Sequence, residues 1–145
     1  MTLQANSNGH LRPQPQTLLL VEDEPFVRDA TGTILRHAGF EVLGAEDACE
    51  ATRIYEECHG QIDLLITDMI LPGRTGLQLA EALHQQSPNL AVLVTSGYSN
   101  PEYEAELPGS RTFFLAKPYS RRGLLEKIDK IFGTAPLQRA ATQAG

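Results

Sequence analysis

The chain has 145 residues, 41% of them apolar and 21% charged, with no Trp and a formal charge of −6. That length suits one domain with a single core covered on both sides, and the acidic balance, with Arg121-Arg122 the longest basic run, excludes an electrostatic footprint for nucleic acid. No stretch approaches the roughly 18 apolar residues of a membrane span, and the opening MTLQANSNGHLRPQPQ lacks the apolar centre of a secretory signal, so a cytoplasmic location is expected.

In chain order, residues 1–16 are rich in Gln, Asn and Pro and predict a flexible arm, residues 17–133 one folded domain, and residues 134–145 a flexible tail. TLLLVE is a short continuous apolar run suited to a strand covered on both faces. PFVRDATGTILRHAG sets Phe26, Ala30, Ile34 and Ala38 at four-residue spacing, a stripe widened by Val27, and predicts a helix. Gly39 ends it, FEVLGA is a second strand, and Asp47 caps a second helix whose Ala51, Ile54, Tyr55 and Cys58 share a face. Cys49 and Cys58, nine residues apart on that helix, are separated by roughly 13 Å of axial rise and cannot form a disulfide. The four histidines are dispersed, with no spacing that would make a zinc site.

IDLLITDM is a third strand that ends in an acid, LPGRTG a turn, LQLAEALHQQ a third helix broken at Pro88-Asn89, and LAVLVTSG a fourth strand. YSNPEYEAELPGSR leaves room for a short or irregular fourth helix between Pro101 and Leu107. TFFLAK is a fifth strand, and SRRGLLEKIDKIF a final helix capped by Ser120, with Leu124, Leu125, Ile128, Ile131 and Phe132 toward the sheet. Five strands alternating with helices describe a doubly wound α/β fold with a parallel sheet and helices on both faces.

In such sheets the functional crevice lies at the carboxyl ends of the strands. Glu22, Asp23 and Glu24 follow strand one, Asp68 ends strand three, Thr95 and Ser96 end strand four, and Lys117 follows strand five. Clustered carboxylates repel unless a cation joins them. Magnesium favours carboxylate, carbonyl and water oxygens, so Glu22, Asp23, Asp68 and the Met69 carbonyl are the candidate ligands. Asp68, carried out of an apolar strand beside an exposed loop, is a candidate nucleophile. Glu24 reads as the cap of the first helix. Side-chain alternation lets only one of the two hydroxyls reach the pocket; Ser96 is the favoured one, and Thr95 the favoured core or turn hydroxyl.

VEDEP, TDMILPGRTG, TSG and FFLAKPY, in this order, resemble the receiver domain of two-component response regulators over about residues 17–133, of the single-domain or hybrid-kinase type. The resemblance implies a flavodoxin-like strand order, 2-1-3-4-5. It implies magnesium, with manganese as a substitute, on Glu22 and Asp23, a phosphoryl group received by Asp68, and Ser96 and Lys117 as its catalytic partners. Phe114 falls at the aromatic switch position paired with Ser96, and the Lys117-Pro118 bond is expected to be cis. The implied role is that of a phosphoacceptor in a histidine-to-aspartate relay, with slow self-dephosphorylation rather than conventional multiple turnover. Its partners would be a sensor histidine kinase or a histidine phosphotransfer protein, and a downstream protein target.

Two departures stand out. Glu22 replaces the more frequent Asp, and apolar Ile70 with Tyr98 is expected to restrict attacking water and lengthen the phosphorylated lifetime. No helix-turn-helix pattern follows Phe132, so no direct DNA contact is expected. The alternative reading is a docking module that regulates a histidine kinase independently of phosphorylation. A small hydrolase is a third, disfavoured because the sequence has neither a P-loop nor a GxGxxG turn.

Overall fold

A computed structural model describes residues 3–5, 11–13, 15–97 and 111–133. Strands β1 (Leu3–Ala5) and β2 (Leu11–Pro13) pair antiparallel, with Gln4 opposite Arg12. The expected arm thus carries a short ladder. Asn8-Gly9, between the two strands in sequence, is a pair that favours tight hairpins.

The remaining strands are β3 (Thr17–Val21), β4 (Glu41–Ala45), β5 (Leu64–Asp68), β6 (Ala91–Ser96) and β7 (Thr112–Ala116). They form one parallel sheet in the order β4-β3-β5-β6-β7, which is 2-1-3-4-5 within that sheet. Strand order reverses at β3, so the crevice opens between the ends of β3 and β5. Helices α1 (Pro25–His37), α2 (Ala48–Glu57), α3 (Gly76–Gln86) and α4 (Arg121–Gly133) cover the two faces. The segment expected to hold a short helix, 101–107, lies outside the described residues.

Period-two alternation divides the core into two layers. Leu19, Val21, Leu65, Val92 and Val94 face α2 and α3 and meet Ala51, Tyr55, Leu79 and Leu83. Leu18, Leu20, Leu64, Ile66 and Leu93 face the other way and meet Leu35, Leu124, Ile128 and Ile131. Local signals close the helices as expected. Asp47 accepts from the Glu50 amide at 2.8 Å, Ser120 accepts from the Gly123 amide at 2.9 Å, and Gly39 leaves α1 at φ 102°. Cys49 and Cys58 are both free thiols.

The apolar stripe of α1 is not its buried face: Phe26 is 86% exposed, Val27 and Ala30 are exposed, and Ile34 is partly covered. The buried line of α1 is Thr31, Gly32 and Leu35. Small residues at 31 and 32 let the helix settle close to the sheet, and the Thr31 hydroxyl shares a 3.1 Å hydrogen bond with Tyr119. The more apolar stripe, rotated by about one residue, is left to solvent.

Truncation separates the two faces. Leu35→Ala should cost about 2–5 kcal/mol in chemical denaturation, and Phe26→Ala should change stability by no more than about 0.5 kcal/mol. The opposite ranking would put the Phe26 stripe in the core.

Candidate functional site

The β3–α1 turn delivers the first acids. Pro25 starts α1 and has no amide proton to satisfy there. Glu24 stands at the N-cap but makes no side-chain capping bond; its own amide donates to Glu22 Oε2 at 3.1 Å. The Glu22 amide donates to the Ala45 carbonyl at 3.0 Å, and its carbonyl accepts from Arg28 Nη1 at 2.7 Å. These bonds pull Glu22 under the sheet edge, where it is buried, while Asp23 stays exposed. Carboxylate oxygens of Glu22, Asp23 and Asp68 lie within 4.8 Å of one another.

Asp68 is held from below by a glycine. A Cβ built on Gly76 would fall 2.1 Å from the Asp68 carbonyl oxygen and 3.0 Å from Thr67 Cγ2, so only glycine permits α3 to begin this close to the end of β5. The Gly76 amide donates to the Met69 carbonyl at 2.7 Å. That carbonyl, expected as a metal ligand, already accepts a hydrogen bond and has one lone pair left for a cation. Thr75 and Gln78 complete the helix start as a reciprocal capping box.

From the far side of the sheet Lys117 reaches the acids. Its Nζ lies 2.6 Å from Asp68 Oδ1 and 3.1 Å from Glu22 Oε1, and the Lys117-Pro118 bond is cis as expected. Thr95, expected in the core, lies opposite Asp68 in the parallel register, and its buried hydroxyl donates to Asp68 Oδ1 at 2.9 Å. Ser96 also lines the cavity of about 120 Å³ beside Asp68, with Met69, Ile70, Thr95, Gly97 and Lys117. Thr95 follows Ala91 and Leu93 on the face shared by Leu64, Ile66 and Asp68, so alternation itself brings it to the acid, and Ser96 borders the site from the end of β6. Phe114 lies opposite Val94 in the ladder and packs, half-buried, on the α2/α3 core layer. Ile70 is exposed at the cavity mouth, and Tyr98 lies outside the described residues.

The electrostatics follow from this geometry. Burial disfavours the Lys117 ammonium, but its hydrogen bonds and charge attraction to Asp68 and Glu22 outweigh that and raise its pKa above the ordinary 10.5. The cluster offers oxygen ligands to a hard cation, an ammonium for added negative charge, and a carboxylate facing a small open cavity.

The family model for the response regulator receiver domain matches residues 18–129. This chain belongs to that family. It is similar to the sensor kinase CckA of Brucella abortus, with 33% identity over 116 residues, 79% of this chain and 12% of that one. It is also similar to the C4-dicarboxylate transport transcriptional regulatory protein DctD of Pseudomonas aeruginosa, with 29% identity over 112 residues, 77% of this chain and 24% of that one. The chain thus spans less than a third of either relative. Among solved structures, the receiver domain from hybrid histidine kinase CckA matches with a TM-score of 0.69 and 36% identity, over 79% of this chain and 97% of that one. Response regulator TrrA from Thermotoga maritima, in complex with Mg(2+)-BeF, matches with a TM-score of 0.68 and 27% identity, over 80% of this chain and 98% of that one. In this receiver domain no helix among the described residues is long and apolar enough to cross a membrane.

Two measurements probe the site. Gly76→Ala must displace the Asp68 backbone and should cost about 1–3 kcal/mol by overpacking, with weaker magnesium binding in a titration; unchanged stability would contradict the close approach. A lysine whose folded pKa is raised contributes stability that is complete below its unfolded pKa and lost as pH rises through the folded one. The stability difference between wild type and Lys117→Met should therefore be flat from about pH 7 to about pH 10 and shrink above the ordinary 10.5. A difference that grows in alkali would contradict the pairing.

Proposed function

We propose that this receiver domain is a magnesium-dependent phosphoacceptor in a histidine-to-aspartate relay, carrying the phosphoryl group on Asp68 and acting in the cytoplasm. The observation that supports this most directly is the contact of one ammonium with two acids, Lys117 with Asp68 and Glu22, beside a third carboxylate, Asp23. Bound at Glu22, Asp23 and Asp68, magnesium would offset negative charge on the transferring phosphoryl oxygens. The Met69 carbonyl, through its remaining lone pair, is the further ligand of this reading, and manganese its substitute.

In the transfer, a carboxylate oxygen of Asp68 attacks phosphorus, the N–P bond of a phosphohistidine breaks, and the electron pair returns to the imidazole. Lys117 is placed to follow the added charge onto the phosphoryl group. Ser96, at the cavity wall, supplies a hydroxyl to a phosphoryl oxygen, and its inward movement frees space into which Phe114 turns. That change remodels the surface around β7 and α4 for a downstream protein target.

The exposed apolar stripe of α1 gives this reading its partner surface. Phe26, Val27, Ala30 and Ile34 line one wall of an open groove of about 710 Å³, with Lys117, Pro118 and Tyr119 beside them. An apolar helix face next to the acceptor suits the helical surface that presents a phosphohistidine, on a sensor kinase or a phosphotransfer protein.

Acetyl phosphate with magnesium should label Asp68, as located by mass spectrometry under conditions that preserve acyl phosphates, and EDTA or Asp68→Asn should abolish the label. Equal labelling of Asp68→Asn, or none of the wild type, would contradict the assignment. Ala30→Glu should slow transfer from a phosphohistidine protein by about tenfold or more while leaving labelling by acetyl phosphate unchanged. Equal slowing with both donors would remove the groove from the reading.

A further inference from the structure

We infer that the Thr95 hydroxyl is a positioning residue for phosphoryl transfer, fixing which oxygen of Asp68 reacts and making Asp68 a good leaving group; this rests on the phosphoacceptor reading. Two donors converge on one oxygen: Thr95 Oγ1 at 2.9 Å and Lys117 Nζ at 2.6 Å both meet Asp68 Oδ1. Among the described residues, no hydrogen bond is made to Oδ2. The carboxylate torsion of an Asp is broad and roughly two-fold, so an unrestrained Asp68 would present either oxygen. Two donors on Oδ1 remove that freedom and leave Oδ2 as the nucleophile.

The two donors have different fates once phosphate arrives. The long side chain of Lys117, partly exposed, can follow charge from Oδ1 to the phosphoryl oxygens. Thr95 cannot follow it. It is 3% exposed, fixed in the β6 ladder directly beside Asp68, and its hydroxyl hangs on a short stiff side chain. The Thr95 bond therefore stays on Oδ1 throughout the cycle, as the oxygen changes from half of a carboxylate to the carbonyl of an acyl phosphate.

A hydrogen bond to a charged acceptor is roughly twice as strong as one to a neutral acceptor. Thr95 thus stabilises the free carboxylate more than the acyl phosphate. In dephosphorylation a water oxygen bonds to phosphorus, the Oδ2–P bond breaks, its electron pair returns to the Asp68 carboxylate, and a proton leaves with the inorganic phosphate. Negative charge grows on the carboxylate in that step, so the Thr95 bond strengthens as the leaving group departs. The same bond favours onward transfer to a second acceptor, which suits a carrier more than a long-lived store.

The test compares wild type, Thr95→Val and Thr95→Ser as full chains. Each is labelled with acetyl phosphate and magnesium, the donor is removed, and the decay of the label is followed by intact mass. Valine keeps the shape and loses the donor; serine keeps the donor. Thr95→Val should decay about tenfold more slowly than wild type, and Thr95→Ser within about threefold of wild type, with all three giving cooperative thermal unfolding. If Thr95→Val does not fold, Thr95→Cys, a weak donor of similar size, should show the same slow decay. Equal decay of labelled wild type and the donor-deficient variant would overturn the role of Thr95, as would Thr95→Ser decaying as slowly as that variant. A wild type that takes no label overturns the acceptor reading and the role of Thr95 with it, and so is told apart from a failure confined to Thr95.

Discussion

One ammonium shared between two buried or nearly buried carboxylates is the interaction on which the site depends. Lys117 reaches Asp68 and Glu22 at once, and without it two acids would face each other at the end of a sheet whose surroundings are mostly apolar. Taking charges out of water is costly, and a pair survives only with close geometry and further hydrogen bonds. Here those bonds come from the Glu24 amide to Glu22 and from the Thr95 hydroxyl to Asp68. The arrangement is satisfied at rest and is still rich in negative charge, so it keeps a use for a divalent cation.

The fold assembles that geometry by simple means. Parallel strands all point their carboxyl ends to one edge, and the reversal of order at β3 opens a crevice there. Asp68 comes from a strand buried along its whole length, which makes its backbone a rigid mount. Gly76 lets α3 start against that mount, and Arg28 ties the loop carrying Glu22 and Asp23 to α1. Precision therefore comes from backbone contacts made by residues that carry none of the chemistry.

Most of the architecture was legible in the sequence because apolar runs, caps and turns agreed with one another, as at Asp47, Gly39 and Ser120. Glu22, Asp23, Asp68 and Lys117 were legible because a polar residue at the end of an apolar strand has few other places to be. Three features were not. The buried face of α1 was not legible because its most apolar stripe is not its buried one; Thr31 and Gly32 are inside for their small size. Thr95 was not legible because alternation separates two adjacent hydroxyls without saying which takes the crevice side, and the register that sets Thr95 opposite Asp68 decides it. The hydrogen bond on the Met69 carbonyl depends on where α3 begins, which spacing alone does not specify.

The central claim, that the Asp68 cluster is built to receive a phosphoryl group, is tested most directly by a crystal structure grown with magnesium and beryllofluoride. The account predicts beryllium bonded to Asp68 Oδ2, Lys117 moved from Oδ1 to a fluoride, a metal ion among Glu22, Asp23 and Asp68, and Thr95 still on Oδ1. A structure in which both ions are absent and Lys117 still bridges Glu22 and Asp68 would contradict it.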